Sequence, residues 1–492
     1  MEKKNFYITT TLPYVNASPH IGFALEIVQA DAIARYHRDF LGERVIFNTG
    51  TDEHGQKIYR NAGEAGKEVK VYVDEKAAEF DKLRSALNLS YTNFVRTTDM
   101  HHISAVEEFW GRCDAKGDIY KKNYQIKYCV GCELEKTESE LIDGTCPIHP
   151  NLKIEVIEEE NYFFRFSKYQ KPLLDLYEKY HDFVLPSHRL TEIKNFVSAG
   201  LQDFSVSRLK LKMPWGVPVP GDDDHVMYVW FDALVNYVST LGWPEDQENF
   251  ERFWGTNEHP NALQVAGKDN LRQQSAMWQA MLMSAGLPTS RQILIHGFVN
   301  SNGQKMSKSL GNVVDPFEVV EKYGTDALRF WLLHDLVPFE DGDFTWDKFD
   351  KSYHANLANG LGNFAARVLA LGEGLHEMKN REISKDVAEK IEETKKKMAA
   401  ALDGFKFHEA LSAIWNLIGF GDGYVNEKKP WAASDREEKE KAVFDMVAIL
   451  DNVAVMIESF LPGTAEKITK SIIWEGGSVK TKRGELLFTR LR

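Results

Sequence analysis

The sequence predicts an α/β fold in which a nucleotide-binding parallel sheet is split by a zinc-containing insertion and followed by an all-α helical bundle. Three observations predict this arrangement. Short apolar strands alternate with helical patterns before residue 115 and again between residues 226 and 295. Two close pairs of metal-ligand residues lie between these stretches. Beyond about residue 350, long helical periodicity replaces the glycine-bounded strands.

Length and composition narrow the class of protein. A chain of 492 residues is too long for one core, and we divide it at residues 1–115, 116–225, 226–295, 296–350 and 351–492. The net charge of -13 excludes indiscriminate nucleic-acid binding, although a local basic surface can still hold RNA. The sequence shows no signal peptide and no membrane-spanning apolar run, so we expect no membrane partner and a cytoplasmic location.

The N-terminal stretch predicts a strand, a helix and a second strand. The first strand covers residues 6–11, the helix begins at Ile21 and closes at Gly42, and the second strand covers residues 45–47. A nucleotide should then lie at the helix N-terminus, where unpaired N–H groups attract phosphate, Gly22 permits close approach and His20 donates to a phosphate oxygen. The alternative role for His20 is a plain surface helix cap.

A late stretch predicts a strand, a flexible flap and a capped helix. Residues 293–295 are an apolar strand core, residues 301–304 break the chain into a loop, and Asp315 caps a helix that begins with Pro316. The flap between them contains Lys305, Met306, Ser307, Lys308 and Ser309. Two ammonium groups beside hydroxyls suit the charge that develops on a polyphosphate. A solvated basic turn is the alternative.

The insertion carries the metal-ligand pattern. Cys129 and Cys132 form one pair, and Cys146 and His149 form a second pair after thirteen intervening residues. Two close pairs on tight turns can supply the four tetrahedral ligands of one Zn²⁺, and a site filled by protein ligands is structural. The alternative is reduced cysteines without metal. Cys113 lies outside the pattern, and we expect it to be a buried thiol.

These motifs together carry a family resemblance. HIGF at residues 20–23 and KMSKS at residues 305–309 resemble the two signatures of class I aminoacyl-tRNA synthetases. LPYVN at residues 12–16 and GTDEHG at residues 50–55 resemble the methionyl-tRNA synthetase family in particular, and the likeness extends over nearly the whole chain. It implies a Rossmann-like catalytic fold, an anticodon-binding bundle, and ligation of L-methionine to tRNA(Met) with Mg²⁺-bound ATP. The length leaves no room for an appended dimerisation module, which predicts a monomer.

The resemblance assigns roles by position. Charge stabilisation during catalysis falls to His20, Lys305 and Lys308. ATP binding adds Gly22, Gly267, Asp269, Ser307 and Ser309. Methionine binding falls to Leu12, Tyr14, Asp52, Trp230, Ala233, Tyr237, Gln274 and Trp278. Anticodon binding falls to Asn359, Asn363, Arg367 and Trp431.

Several of these residues have a purely structural alternative. Asp52 could cap the helix that follows the second strand. Trp230, Ala233 and Tyr237 have the spacing of an ordinary core stripe on one helical face. A buried core tryptophan would account equally well for Trp431. Arg208, which also falls within the resemblance, either borders the active site or lies on the surface.

Two positions depart from the family pattern. Phe23 replaces the residue, usually histidine, that ends the first signature, and Gln273-Gln274 replaces Phe-His beside the substrate. The chain has therefore lost an imidazole at both places. We interpret the changes as coupled, with Gln274 hydrogen-bonding methionine and Phe23 filling the space beneath the nucleotide.

Three other functions compete with methionine ligation. A cysteinyl-type synthetase has a similar size, but enzymes of that type bind zinc at the substrate rather than in a closed knuckle. A nucleotidyltransferase acting on small molecules would not need residues 350–492. A non-catalytic tRNA-binding relative would accommodate the changes at Phe23 and Gln274, yet it would not need the intact KMSKS string and Asp52.

Overall fold

The computed structural model describes residues 3–132, 134–136, 140–306 and 311–490. The predictions for Ser307, Lys308 and Ser309 lie outside these residues. The chain divides into two units, the first formed by residues 1–18, 45–82 and 91–295 and the second by residues 19–44, 83–90 and 296–492. No helix within the described ranges is long and apolar enough to cross a membrane.

Most strands are short, whereas two of them, Ile119–Cys129 and Glu155–Phe164, have 11 and 10 residues. In chain order they are β1 (Asn5–Thr10), β2 (Arg44–Thr51), β3 (Asn93–Arg96), β4 (Ile119–Cys129), β5 (Leu134–Glu135), β6 (Glu155–Phe164), β7 (Val184–Leu185), β8 (Phe204–Ser205), β9 (Ser207–Leu209), β10 (Pro218–Val219), β11 (Asp222–Met227), β12 (Ala262–Gly267), β13 (Gln292–His296), β14 (Val299–Ser301), β15 (Gln304–Lys305), β16 (Gly342–Phe344), β17 (Met378–Lys379), β18 (Ile472–Glu475) and β19 (Ser478–Thr481).

The helices lengthen toward the C-terminus, as the periodicity predicts. They are α1 (Ile21–Arg35), α2 (Gln56–Glu64), α3 (Val69–Asp81), α4 (Leu83–Ala86), α5 (Met100–Ala115), α6 (Gln170–Lys179), α7 (Ser187–Ser198), α8 (Val229–Leu234), α9 (Asn236–Ser239), α10 (Gln247–Trp254), α11 (Trp278–Ala285), α12 (Pro316–Tyr323), α13 (Thr325–Phe330), α14 (Trp346–Ser352), α15 (Asn363–Glu373), α16 (Lys385–Asp403), α17 (Phe407–Lys428), α18 (Arg436–Ile457) and α19 (Pro462–Ser471). Shorter π-helical turns cover Tyr36–Phe40, Gln273–Met277, Trp331–Asp335 and Tyr353–Gly362.

The first unit is organised around a six-stranded sheet in the order β3-β2-β1-β12-β13-β7. β1 pairs with β12 in parallel, as do β2 with β3 and β13 with β7. Strands from before and after the insertion therefore share one sheet, which confirms the predicted split fold. The edge strand β7 comes from the insertion itself, and its two residues carried no sequence signal strong enough to predict it.

The insertion folds mostly as antiparallel sheet. β4 and β6 form a long ladder from Ile119↔Phe164 to Tyr128↔Glu155, and β5 and β8 flank them. A smaller sheet joins β10, β11 and β9. Cys129 is the last residue of β4, and Cys146 and His149 face each other across an isolated antiparallel bridge in the segment before β6.

The second unit is mainly helical, and two of its helical boundaries agree with those predicted from capping residues and glycines in the sequence. Asp315 caps α12 by accepting a hydrogen bond from the backbone N–H of Phe317 at 2.8 Å, with Pro316 in the first turn. Gly42 has the positive φ of +72° expected for the residue that closes the first helical stretch. The predicted bundle from α14 to α19 is confirmed. It also carries a small antiparallel sheet, β17-β19-β18, which the periodicity did not predict.

Candidate functional site

One group of predicted site residues lies at the carboxyl ends of the central parallel strands. Ligands bind open parallel sheets outside these ends, at the point where the strand order reverses, and here that point lies between β1 and β12. Leu12 and Tyr14 follow β1, Asp52 follows β2, Gly267 is the last residue of β12, and Asp269 follows it. Five predicted site residues are thus brought to one edge of the sheet in the first unit.

Asp52 and Tyr14 are held together by their own backbones. The two residues form a parallel bridge, in which the Asp52 N–H donates to the carbonyl of Pro13 at 3.0 Å and the Val15 N–H donates to the carbonyl of Asp52 at 3.1 Å. Asp52 is only 6% exposed. The alternative role of Asp52 as a helix cap is wrong, because the capping position of α2 is occupied by Gly55.

The loop that carries Asp52 is fixed by its neighbour. The buried carboxylate of Glu53 accepts hydrogen bonds from the Arg96 guanidinium at 2.6 and 2.8 Å and from the Thr98 hydroxyl at 2.6 Å. The Glu53 N–H donates to the Thr97 hydroxyl at 2.9 Å. Glu53 therefore faces a structural network, and the loop presents Asp52 without needing a ligand to order it.

An aromatic wall contains three other predicted residues. The rings of Tyr237 and Trp278 meet edge to face at 5.8 Å, and both are buried. Gln274 donates from Nε2 to the Tyr237 hydroxyl at 2.7 Å and accepts from Gln264 Nε2 at 3.3 Å. The Gln274 amide thus already makes hydrogen bonds within the protein, and it anchors the Tyr237 hydroxyl.

Trp230 and Ala233 lie on α8, whereas Tyr237 lies on α9. Val235 separates the two helices, so the stripe spans a break rather than one continuous helix. Trp230 and Ala233 are half-buried, while Tyr237 is 2% exposed. The first two side chains therefore keep accessible surface, which a fully buried core stripe would lack.

The start of α1 lies in the second unit and differs from the prediction. Its first N–H, that of Ile21, donates to the carbonyl of Val314 at 3.0 Å. The N–H of Gly22 donates to His20 Nδ1 at 3.1 Å, and those of Phe23 and Ala24 donate to the His20 carbonyl. The expectation of unpaired N–H groups at this helix start is therefore wrong. A phosphate at this helix start would therefore be attracted by the helix dipole and by side chains rather than by unpaired N–H groups.

His20 acts as the N-cap of α1 through its ring atom Nδ1, and this cap does not involve the other ring nitrogen, Nε2. Because Nδ1 accepts from Gly22, a neutral ring carries its proton on Nε2. A Cβ on Gly22 would stand 2.9 Å from His20 Cε1 and 3.7 Å from Met306 Cε. The position of the His20 ring thus requires a glycine at residue 22, and Met306 lies near this glycine.

Lys305 lies at the end of a tight hairpin. β14 and β15 pair antiparallel around Asn302 and Gly303, whose positive φ values of 53° and 72° suit a two-residue turn. Lys305 is exposed, with Nζ 5.2 Å from the centre of the Phe298 ring. The predicted loop at residues 301–304 is confirmed as this turn, which places the first lysine of the KMSKS string at its base.

The four predicted metal ligands converge. Cys132 Sγ lies 3.4 Å from Cys146 Sγ and 3.2 Å from His149 Nδ1, and all four ligand atoms lie within 4.8 Å of one another. A Cβ on Gly131 would stand 2.5 Å from the His149 ring, so only glycine fits there. The group could hold a metal ion in tetrahedral geometry. Cys113 is buried outside it, as expected, and burial raises its pKa to about 12.

The predicted anticodon residues lie on the helical bundle. Asn359 and Asn363 are exposed, and Arg367 donates to Asp422 at 2.9 Å and to Asn426 at 2.8 Å. These contacts tie Arg367 to the last turns of α17, shortly before Trp431. Trp431 is 57% exposed, so the alternative that it is a core residue is wrong.

Arg208 is not an ordinary surface residue. It is 6% exposed, and its guanidinium lies 4.4 Å from the centre of the Tyr228 ring. It donates to the hydroxyl of Ser205 and to the carbonyl of Ser207, both at 2.7 Å. The alternative that Arg208 lies on the surface is therefore wrong. Its buried guanidinium is held by aromatic and polar contacts, two residues before an exposed loop begins at residue 210.

The first unit contains a buried polar cluster, formed by His54, His102 and Asp232, that was not predicted from the sequence. His54 lies within the quoted GTDEHG string and Asp232 lies between Trp230 and Ala233, yet no periodicity connects them. Three residues from distant parts of the chain meet only in the folded protein. The available signal was Asp232, an ionisable residue inside the otherwise apolar stretch at residues 226–235.

Known proteins resemble the chain over its full extent. A family model described as tRNA synthetases class I (M) matches residues 6–154 and 151–369, and one described as an anticodon-binding domain of tRNA ligase matches residues 384–487. The methionine–tRNA ligase of Clostridium perfringens is 40% identical over an alignment of 516 residues, which covers 100% of this chain and 79% of that protein. The methionine–tRNA ligase of Thermotoga maritima is 39% identical over 482 residues, covering 96% and 75%. The solved structure of Mycobacterium tuberculosis methionyl-tRNA synthetase in complex with methionyl-adenylate has a TM-score of 0.89 and 36% identity, covering 95% of this chain and 94% of its own.

Proposed function

This chain belongs to the class I methionyl-tRNA synthetase family, and from that premise we infer that it activates L-methionine with ATP and transfers the methionyl group to tRNA(Met). The observation that carries the inference is the pairing of Asp52 with Tyr14 at the carboxyl ends of the central strands. That edge offers a buried carboxylate to an amino acid's ammonium group. The aromatic residues around it offer an uncharged surface to a side chain.

We propose that methionine is bound by charge at one end and by sulfur contacts at the other. Asp52 takes the ammonium group, and Tyr14 and Leu12 lie beside the backbone of the amino acid. Trp230, Ala233 and Tyr237 line the pocket for the thioether, Trp278 also contacts methionine, and Gln274 hydrogen-bonds the bound amino acid. Sulfur contacts with aromatic rings are favourable by about 0.3 to 1.5 kcal/mol each, and no ion is buried when a thioether enters.

The phosphate side of the reaction depends on cations and on one imidazole. The methionine carboxylate attacks the α-phosphate of Mg²⁺-bound ATP, which yields methionyl adenylate and releases pyrophosphate. A hydroxyl of the tRNA's terminal adenosine then attacks the acyl carbon of the adenylate, which forms the methionyl ester and releases AMP. His20 donates from Nε2 to a phosphate oxygen, and Lys305 and Lys308 stabilise the charge that develops. Gly267 and Asp269 hold the ribose, and Ser307 and Ser309 assist at the phosphates. No protein nucleophile is needed, so catalysis is positioning plus electrostatic stabilisation.

The metal in the insertion is proposed to be one structural Zn²⁺. Three thiolates and one imidazole are the donor set that zinc prefers, and their separations suit ligands at about 2.0 to 2.3 Å from one ion. With four protein ligands, such an ion contributes folding energy rather than catalysis. The division into five segments, the monomeric state and a cytoplasmic location also remain predictions.

The test of the function is amino-acid-dependent exchange of pyrophosphate into ATP, measured with each of the twenty amino acids. We expect exchange with methionine alone, followed by charging of tRNA(Met). Exchange that depends on cysteine would favour the cysteinyl alternative. Binding of tRNA without exchange would favour the non-catalytic relative, and exchange without any tRNA charging would favour a nucleotidyltransferase that acts on small molecules.

Replacing Trp431 should separate anticodon reading from adenylate formation. We expect Trp431→Ala to lower aminoacylation by about tenfold or more, because stacking of one base on an aromatic ring is worth about 1 to 3 kcal/mol. Pyrophosphate exchange should stay near the wild-type rate. Trp474→Ala is the matched control, since Trp474 is 42% exposed on β18 and carries no predicted contact to tRNA. Loss of exchange in a folded Trp431→Ala variant would contradict the assignment.

The two departures from the family pattern can be tested as a pair. We propose that Phe23 and Gln274 compensate each other, and we compare Phe23→His, Gln274→His and the double variant by pyrophosphate exchange. Gln274→His alone removes hydrogen bonds to Tyr237 and Gln264, and leaving such buried groups unpaired costs about 1 to 3 kcal/mol. Restoring the second imidazole should recover part of the lost activity. Non-additivity above about 0.5 kcal/mol supports coupling, whereas additive effects contradict it.

A further inference from the structure

Two histidines and one aspartate form a buried cluster in the first unit that the proposed reaction does not use. Asp232 Oδ2 lies 2.6 Å from His54 Nδ1, and Asp232 Oδ1 lies 2.9 Å from His102 Nε2. The side chains of His54, Asp232 and His102 are 6%, 1% and 0% exposed. A buried carboxylate is costly unless it is hydrogen-bonded, and here each oxygen faces one ring nitrogen.

The cluster defines which ring nitrogens carry protons. Burial by itself raises the pKa of Asp232, but the charge of His54 and the hydrogen bonds from His102 and His54 outweigh burial and leave that pKa lowered. Asp232 is therefore an acceptor only, so His54 donates from Nδ1 and His102 donates from Nε2. The second nitrogen of His102, Nδ1, lies 2.9 Å from the hydroxyl of Ser239 and in a neutral ring accepts its proton.

Three members of this network lie two residues after a predicted methionine contact, and His102 on α5 links them. The pairs are His54 with Asp52, Asp232 with Trp230, and Ser239 with Tyr237. The loop after β2, helix α8 and helix α9 are thus joined by one set of hydrogen bonds. These three segments supply the proposed ammonium anchor and most of the proposed side-chain pocket.

His54 cannot relax easily within this arrangement. Its ring packs edge to face against Trp215 at 5.4 Å. Trp215 in turn donates from Nε1 to the carbonyl of Glu53 at 2.6 Å and accepts from the N–H of Gly55 at 3.1 Å. Trp215 therefore holds the backbone on both sides of His54, through its indole N–H at Glu53 and through its own carbonyl at Gly55. A change in the bond from His54 to Asp232 is thus transmitted to the loop that carries Asp52.

We propose that His54, Asp232 and His102 are positioning residues that set the separation between Asp52 and the aromatic pocket on α8 and α9, and so set the length of amino acid that the site accepts. The proposal rests on the methionine site proposed above. Their role is geometric, because none of the three is expected to touch methionine or ATP. A reacting group misplaced by about 1 Å can lose about a hundredfold in rate, so the fixed separation affects methionine selection directly.

Exchanging each histidine for asparagine or glutamine gives a matched test, because the asparagine amide nitrogen lies near Nδ1 and that of glutamine near Nε2. We expect His54→Asn to keep the KM for methionine within about threefold, and His54→Gln to raise it by about tenfold or more. At His102 we expect the opposite order, because this ring faces Asp232 with Nε2. His102→Gln should keep the KM for methionine within about threefold, and His102→Asn should raise it by about tenfold or more. The KM for ATP should stay within about twofold in all four variants, and preference for methionine over its S-ethyl analogue should fall only where the KM rises.

The control is a carboxylate buried in the same unit but outside the network. Asp118 accepts hydrogen bonds from Lys168, Tyr169 and Ser284, so Asp118→Asn should lower the Tm while leaving the KM for methionine unchanged. Rates are normalised to the fraction of enzyme that forms adenylate in a single turnover. Asp232→Asn tests the carboxylate itself, and the histidine variants carry the test if that variant does not fold.

Equal KM values for His54→Asn and His54→Gln would overturn the proposal, as would variants that lower only the Tm. Failure of all four histidine variants to fold would overturn it too, since the cluster would then be a stability element. Failure of the proposed function looks different, because the wild-type protein itself would show no methionine-dependent exchange.

Discussion

Asp52→Asn should raise the KM for methionine by about 10² or more while the KM for ATP stays within about twofold. Asparagine keeps the shape of the side chain but removes the charge that faces the ammonium group. Removing one partner of a buried, hydrogen-bonded charge pair costs about 2 to 5 kcal/mol, because the other charge is left without compensation. Asp52 is 6% exposed, so water cannot replace the carboxylate efficiently. Pyrophosphate exchange at varied methionine concentration measures the effect.

Glu53→Gln is the matched control for this prediction. Glu53 is the next residue and is more deeply buried, but its carboxylate faces Arg96 and Thr98. Its replacement should lower the Tm and, because the loop that carries Asp52 is loosened, raise the KM for methionine, but by far less than Asp52→Asn does. A folded Asp52→Asn variant with a methionine KM within about threefold of wild type would mean that Asp52 does not bind the ammonium group.

Loss of the metal should unfold the insertion. A structural zinc in a small domain contributes on the order of 10 to 16 kcal/mol of apparent binding energy, which is available only to the folded ligand set. We expect Cys132→Ser to reduce zinc well below one equivalent, to lower the Tm, and to expose residues 129–149 to protease. Activity per folded molecule should fall without a defect confined to the chemical step. Metal analysis, thermal melting and limited proteolysis measure these effects.

Cys113→Ala provides the control for a generic loss of a buried thiol. Cys113 is 0% exposed and lies outside the ligand group, so its replacement should lower the Tm with zinc content unchanged. Freshly purified, reduced wild-type protein should contain one equivalent of zinc. A content far below that value would count against the site, whatever the variants do.

Much of the framework could be predicted from the sequence, because the signals are local. The strand β1, the cap of α12 by Asp315 and the turn at Asn302-Gly303 each depend on a few adjacent residues whose backbone preferences are strong. The metal group was equally predictable, since close pairs of ligands restrict where an ion can bind. The helical C-terminal bundle followed from periodicity that extends over whole helices.

Other features were decided only by tertiary structure, because they depend on groups that meet from distant parts of the chain. The N–H groups at the start of α1 are satisfied by Val314 and His20. The two-residue strand β7 exists because β13 offers it an edge. Asp232 meets His54 and His102 across 178 and 130 residues of sequence. The sequence by itself determined most of the elements, their order and most of the residues that could do chemistry. The folded structure decided which polar groups are already paired and which remain for a substrate, because burial removes water as the alternative partner and makes each such pairing a property of the whole fold.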